Sequence, residues 1–149
     1  MSKTYIARDA YWQKISPFVG KDIIKVIVGQ RRVGKSYFLF QIMDEIKKAD
    51  KSANFIYLNK ESEKFSAIKT GKDLLVFIAK NVSRRHKNYI FIDEIQEIDG
   101  FEKALRHLSA HGGYDIYCTG SNAHMLSSEI ATGLSGRYVE IAMRSLSFS

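Results

Sequence analysis

The chain has 149 residues, of which 45% are hydrophobic, and a formal net charge of +7. That length suits one domain, burying about 70% of the surface its unfolded chain would expose. The lone cysteine, Cys118, excludes an internal disulfide and suits a reducing cytoplasm. No secretory signal and no apolar run of about 18 residues is present, so no membrane partner is expected, while the basic balance permits nucleic-acid contact without demanding it.

Taken in chain order, the pattern alternates between helix and strand. Tyr11, Trp12, Ile15 and Phe18 fall at helical spacing and predict an amphipathic helix over about 8–18. A first strand is predicted over Ile23 to Val28. Directly after it comes Gly29-Gln30-Arg31-Arg32-Val33-Gly34-Lys35-Ser36, which reads G-x-x-x-x-G-K-S, and directly after that a helical pattern from Tyr37 to Lys48. Strand, glycine loop and helix in this order form the context in which a P-loop holds phosphate. Glycines let the backbone wrap closely round an anion, and the amides of about 33–36 point inward at the positive end of the next helix. Lys35 supplies a point charge to the β- and γ-phosphates, and the Ser36 hydroxyl is placed to ligate Mg²⁺. The expected nucleotide-contacting set is Gly29, Arg32, Val33, Gly34, Lys35, Ser36 and Tyr37. Arg31 and Arg32 occupy variable loop positions and receive no catalytic role.

A second strand is predicted over Asn54 to Leu58, then a helix from Lys72 to Arg85 opened by a Thr70/Asp73 capping box. Arg84-Arg85-His86-Lys87 would close that helix, where cations suit the negative end of the dipole. The third strand, Tyr89 to Ile92, ends in Asp93-Glu94. Adjacent acids at a strand end repel one another, and a metal relieves that cost: Asp93 is the expected Mg²⁺ support and Glu94 the base that polarises an attacking water. Asp99 and Glu102 resemble a cap for a helix carrying Phe101, Ala104, Leu105 and Leu108 at i, i+3, i+4, i+7. The fourth strand, Ile116 to Thr119, delivers Gly120-Ser121-Asn122. Either Ser121 or Asn122 suits contact with the γ-phosphate or the water, with Asn122 preferred, and both residue types also serve as plain helix caps. A helix over about 123–134 is closed by Gly136, and Arg137 precedes a last strand, Tyr138 to Ala142. An arginine there fits a finger that neutralises a transferring phosphoryl group; spacing leaves open whether it acts within the chain or across a subunit boundary.

Alternating strands and helices imply an α/β fold: a three-layer αβα sandwich around a five-stranded parallel sheet, with ligands at the strand C-terminal edge. Two weaker patterns are set aside. His107 and His111 lack the glutamate of a zinc-protease helix, and Asn59-Lys60-Glu61-Ser62 lacks the final aspartate of a guanine-reading motif.

Together these residues resemble the AAA+ ATPases, and most of all a prokaryotic branch whose loop reads G-x-R-R-V-G-K-S and which carries a C-terminal domain of uncertain function. Phe91 to Ile98 looks like its Walker B segment, Thr119-Gly120-Ser121-Asn122 like its sensor 1, and Leu134 to Tyr138 like the stretch bearing its arginine finger. The resemblance implies ATP, ADP and Mg²⁺ as ligands, Asn122 or Ser121 as sensor, and Arg137 acting on a neighbour's nucleotide in a homo-oligomer. It also implies a base pocket near Tyr5 to Arg8. That family continues into a helical lid and a further domain. This chain, ending at Ser149, is therefore expected to be an AAA+ core without its lid, from a longer protein. Two functions compete: an ATPase coupling nucleotide state to a nucleic-acid or protein partner, and an ATP-gated binding switch with negligible hydrolysis. A helicase, suggested by Asp93-Glu94-Ile95-Gln96, would need two motor domains.

Overall fold

The amphipathic opening forms α1, Lys3–Ile15, and Pro17 converts its end into a 3-10 turn over Ser16–Phe18. β1, Ile24–Val28, leads into α2, Lys35–Ala49, and β2, Asn54–Asn59, follows. After a 3-10 turn over Glu63–Phe65 come α3, Gly71–Asn81, and β3, Asn88–Asp93. A second such turn, Ile95–Glu97, precedes α4, Phe101–His111, then β4, Tyr114–Gly120, and β5, Tyr138–Ala142. The computed structural model describes residues 3–31, 33–121, 134 and 137–144, with side chains from residue 9 onward. The helix expected over 123–134 and the turn at Gly136 lie outside them, Leu134 excepted.

All five strands are parallel, in the order β2-β3-β4-β1-β5. Period-2 alternation sorts their side chains between two helical layers. Val26, Val28, Ile90, Ile92, Ile116 and Cys118 pack with Leu74, Ile78, Leu105 and Leu108 of α3 and α4. Ile27, Phe91 and Tyr117 pack with Ile15 of α1 and Phe38, Leu39 and Ile42 of α2. Phe91 stacks on Tyr117 with ring centres 4.7 Å apart; full burial of one such side chain contributes about 1.5–3 kcal/mol. Cys118 is wholly buried, and burial pushes its thiol up to about 12, so it packs as a small apolar residue. Among the described residues no helix is long and apolar enough to cross a membrane.

Two local expectations fail. α3 stops at Asn81, short of Arg85, so the basic run that follows does not close a helix. The Thr70/Asp73 capping box at its other end forms as expected. At α4 the cap is Gly100, at φ 76°, with no side-chain bond from Asp99. Asp99 works through its backbone instead, donating to Lys69 O and accepting from Gly71 N. That contact is so close that a Cβ on Gly71 would lie 2.6 Å from Gly100 O. A packing contact between two helix starts, invisible in local sequence, thus decided the cap.

Candidate active site

Parallel strands share their C-terminal edge, and the observed order sets β3, β4 and β1 side by side. The ends of these three neighbours carry Asp93-Glu94, Ser121 and the glycine loop. Gly29 N donates to Gly120 O (3.1 Å), fixing the loop start against β4. A Cβ on Gly29 would stand 2.6 Å from Met143 O, so this glycine is demanded by the approach of the chain after β5. Gly34 caps α2 at φ 94°, in the left-handed region that glycine adopts freely. The first turn of α2 has neither an acidic residue nor a side-chain cap, which leaves its amides to an anion.

The side chains converge. Lys35 is buried, and its Nζ donates to Gly29 O, to Gln30 O (3.4 Å) and to Ser121 Oγ (3.0 Å). It also pairs with Glu94 Oε1 at 3.1 Å. Ser36 Oγ donates to Asp93 Oδ2, which brings together the hydroxyl and carboxylate expected to hold Mg²⁺. Asp93 points to this side because it shares the parity of Tyr89 and Phe91, which face the α2 layer. Its other oxygen accepts from Thr119 Oγ1 (2.5 Å), and Thr119 Oγ1 in turn accepts from Glu94 N (2.9 Å).

Glu94 departs from the strand at φ 62°, ψ 56°, the one non-glycine positive φ among the described residues. Such a conformation costs of order 1–3 kcal/mol and persists only where surroundings enforce it. Its carboxylate is buried and accepts from Ser121 Oγ (2.9 Å to each oxygen) and Gln96 Nε2 (2.5 Å). Burial raises its pKa; hydrogen bonds from Gln96 and Ser121, with the Lys35 ammonium, outweigh that and hold it below the ordinary glutamate value. At mildly acid pH the unfolded chain therefore binds more protons than the folded one. The resulting stability is present above the ordinary glutamate value and is lost as pH falls through the folded value. Denaturation midpoints taken between about pH 6 and pH 3 should fall more steeply for the parent than for Glu94→Gln; parallel curves would contradict this.

Of the remaining candidates, Val33 packs into the α2-side core and Tyr37 is exposed on the first turn of α2. Arg32 and Asn122 lie outside the described residues. Arg31 reaches the acidic side chains of Glu97 (3.4 Å) and Glu61 (3.9 Å). Arg137 is exposed and its carbonyl accepts from Ile24 N (3.1 Å), at the start of β1. It thus stands at the opposite sheet edge, roughly 15 Å of strand away from the glycine loop. Tyr5 to Arg8 fall within α1, their side chains outside what is described.

Two contributors escaped the sequence reading as individual residues. Thr119 holds both acids in place, and its signal is strand parity with Tyr117. Gln96 bonds Glu94, and its own Oε1 is buried without a partner. A cavity of about 330 Å³ beside the loop is lined by Gly29, Val33, Ser121, Met143 and Arg144. Tyr11 closes that side of the fold, its hydroxyl accepting from Arg144 N (3.1 Å).

Comparison with known proteins agrees with this geometry. The chain is 44% identical over 150 residues to an uncharacterized protein of Haemophilus influenzae, covering 99% of this chain and 38% of that one. It is 41% identical over 125 residues to an uncharacterized protein of Methanocaldococcus jannaschii, covering 84% and 27%. The chain therefore spans well under half the length of these relatives. Among solved structures it is similar to Cdc6p from Pyrobaculum aerophilum, with TM-score 0.62 and 11% identity over 93% of this chain and 45% of that one. It is also similar to the ORC2 protein of Aeropyrum pernix, with TM-score 0.58 and 12% identity over 95% and 47%. At such identities these likenesses show the fold. The family model described as an AAA domain matches residues 21–149, and with a glycine loop, acidic strand end and parallel sheet in the arrangement above, the chain belongs to the AAA domain family of P-loop ATPases.

Proposed function

We propose that this chain is a Mg²⁺-dependent ATP-binding and hydrolysing core that couples nucleotide state to a partner. The carrying observation is the convergence of Lys35, Ser36, Asp93, Glu94 and Ser121 on one sheet edge beneath the uncapped start of α2. The amides of the loop and of α2 bind phosphate oxygens, and the Lys35 ammonium exchanges Glu94 and loop carbonyls for the β- and γ-phosphates. Ser36 and Asp93 offer the hard oxygen donors Mg²⁺ prefers; when bound, that ion would neutralise charge between the β- and γ-phosphates. Once Lys35 turns to phosphate, Glu94 is left to orient and deprotonate water, held by Gln96 and Ser121. Arg32, Val33, Tyr37 and Asn122 complete the expected contacts, and the cavity beside Val33 and Met143 suits a base. The Aeropyrum pernix ORC2 protein was solved as ADPNP-ADP complexes, which supports nucleotide as the ligand here. Arg137, far from its own loop, serves a neighbour's nucleotide in a homo-oligomer. The greater length of the relatives leaves room for a further domain such as a lid, and a chain with a single cysteine suits a reducing cytoplasm.

One observation favours the switch reading. The Glu94 carboxylate is already engaged by Lys35, Ser121 and Gln96, which occupy the acceptors an attacking water would need. Isothermal titration of ATP, ADP and GTP with Mg²⁺, beside a phosphate-release assay, separates the two. Adenine nucleotides are expected to bind and GTP to bind weakly. Binding with turnover supports the ATPase, binding without turnover the switch, and no binding by either purine rejects both.

A further inference from the structure

The basic run Arg84-Arg85-His86-Lys87 lost its plain explanation when α3 ended at Asn81. It lies instead on a loop whose backbone is fixed. Asn88, buried at the start of β3, accepts from Ser83 N (2.7 Å) and donates to Ser83 O (2.9 Å). The Ser83 hydroxyl accepts the amides of Arg85 (3.2 Å) and His86 (3.1 Å). All four side chains from Arg84 to Lys87 are exposed. Among the described residues no carboxylate pairs with Arg84 or Arg85.

Parallel strands begin at one edge, so the turns entering β1, β2 and β3 share a rim. Lys21 precedes β1 and Lys51 precedes β2, both exposed. Asn54 N donates to Lys87 O (2.9 Å) and Lys87 Nζ to Gly20 O (3.2 Å), tying the three turns together. The acids of these turns are Asp22 and Asp50, and Asp50 is engaged by Ser52 (2.9 Å) and the Tyr89 hydroxyl (3.5 Å).

We infer that this rim binds the phosphate backbone of duplex nucleic acid, on the sheet edge opposite the nucleotide site. The inference rests on the proposed function and takes the partner, nucleic acid or protein in that reading, to be nucleic acid. Guanidinium groups bind phosphate oxygens in pairs, and a loop already held in place loses little freedom on docking. An anionic membrane is a poorer match, because interfacial binding needs apolar side chains beside the charge. The large exposed apolar residues Tyr37, Phe40 and Val76 belong to α2 and α3, not to the rim.

The test titrates the intact protein, with ATP and Mg²⁺, into fluorescein-labelled mixed-sequence duplex DNA of about 30 base pairs across about 50–200 mM salt. Serine at both Arg84 and Arg85 should weaken binding about tenfold or more and lower the log–log salt slope by about 2. Lysine at both positions should retain the slope, and Lys103→Ser on α4 should behave as the parent. An unchanged slope in the double-serine variant, or an equal loss in Lys103→Ser, overturns the rim and leaves the nucleic-acid reading standing. No duplex binding by the parent at about 50 mM salt, whether or not it binds phosphatidylserine vesicles, overturns both. Unchanged ATP affinity and melting temperature in the double-serine variant establish that the loss is local.

Discussion

Glu94→Gln is expected to bind ATP as the parent does and to turn it over about 10²–10⁴-fold more slowly, the range that a positioned general base contributes. The substitution is nearly isosteric. It keeps one acceptor oxygen for Ser121 Oγ, now 2.9 Å from the carboxylate, turns the other into an amide NH2, and removes the charge and basicity. It also frees Lys35 from the ion pair at 3.1 Å, so ATP affinity should hold or rise slightly. Single-turnover phosphate release in the intact protein, beside titrated ATP affinity, measures both. Parent-like turnover would remove Glu94 as the base. Lost binding would mean that the Lys35–Glu94 contact shapes the loop, a structural role the present reading does not give it.

Lys25→Ala should cause the largest loss of stability of any single change away from the site. Lys25 and Asp115 are both fully buried and paired, and Lys25 Nζ also donates to Lys21 O (2.9 Å) and lies 5.1 Å from the Tyr117 ring centre. Burial drives its ammonium below the ordinary lysine value, and Asp115 recovers part of that shift. Removing one member of a buried pair leaves the other charge in an apolar setting, at a cost of about 3–5 kcal/mol. For a chain of this size that lowers the melting temperature by roughly 6–20 °C. Asp115 keeps the Gly20 amide (2.9 Å) and the Tyr117 hydroxyl (2.8 Å), which argues for the lower half of the range. Lys25→Met combined with Asp115→Asn should recover much of the loss, since no charge then remains buried. A shift under about 2 °C for Lys25→Ala would show that water reaches Asp115.

Legibility followed the range of each interaction. The glycine loop, the apolar strands, the Thr70/Asp73 cap and the stripe of α4 are set by neighbours a few positions apart, and each formed as read. Even the direction of Asp93 toward Ser36 is contained in strand parity. Lys25 shows the opposite case. Within the run Ile23 to Val28 it looks like an interruption, and its partner stands 90 positions away in the chain. The helix cap at Gly100 and the role of Thr119 likewise depend on segments that meet only after folding.

The alternation of elements, the glycine loop and the acid pair at a strand end were therefore determined by residue order alone, because backbone propensity, period-2 burial and glycine dihedrals act over a few residues. Tertiary structure decided the rest. Strand order β2-β3-β4-β1-β5 made the ends of β3, β4 and β1 neighbours and so brought Lys35, Asp93, Glu94 and Ser121 into contact, while Lys87 met Gly20 across the opposite edge. Those placements depend on which strands pair, and pairing is chosen by the packing of distant surfaces rather than by any local pattern.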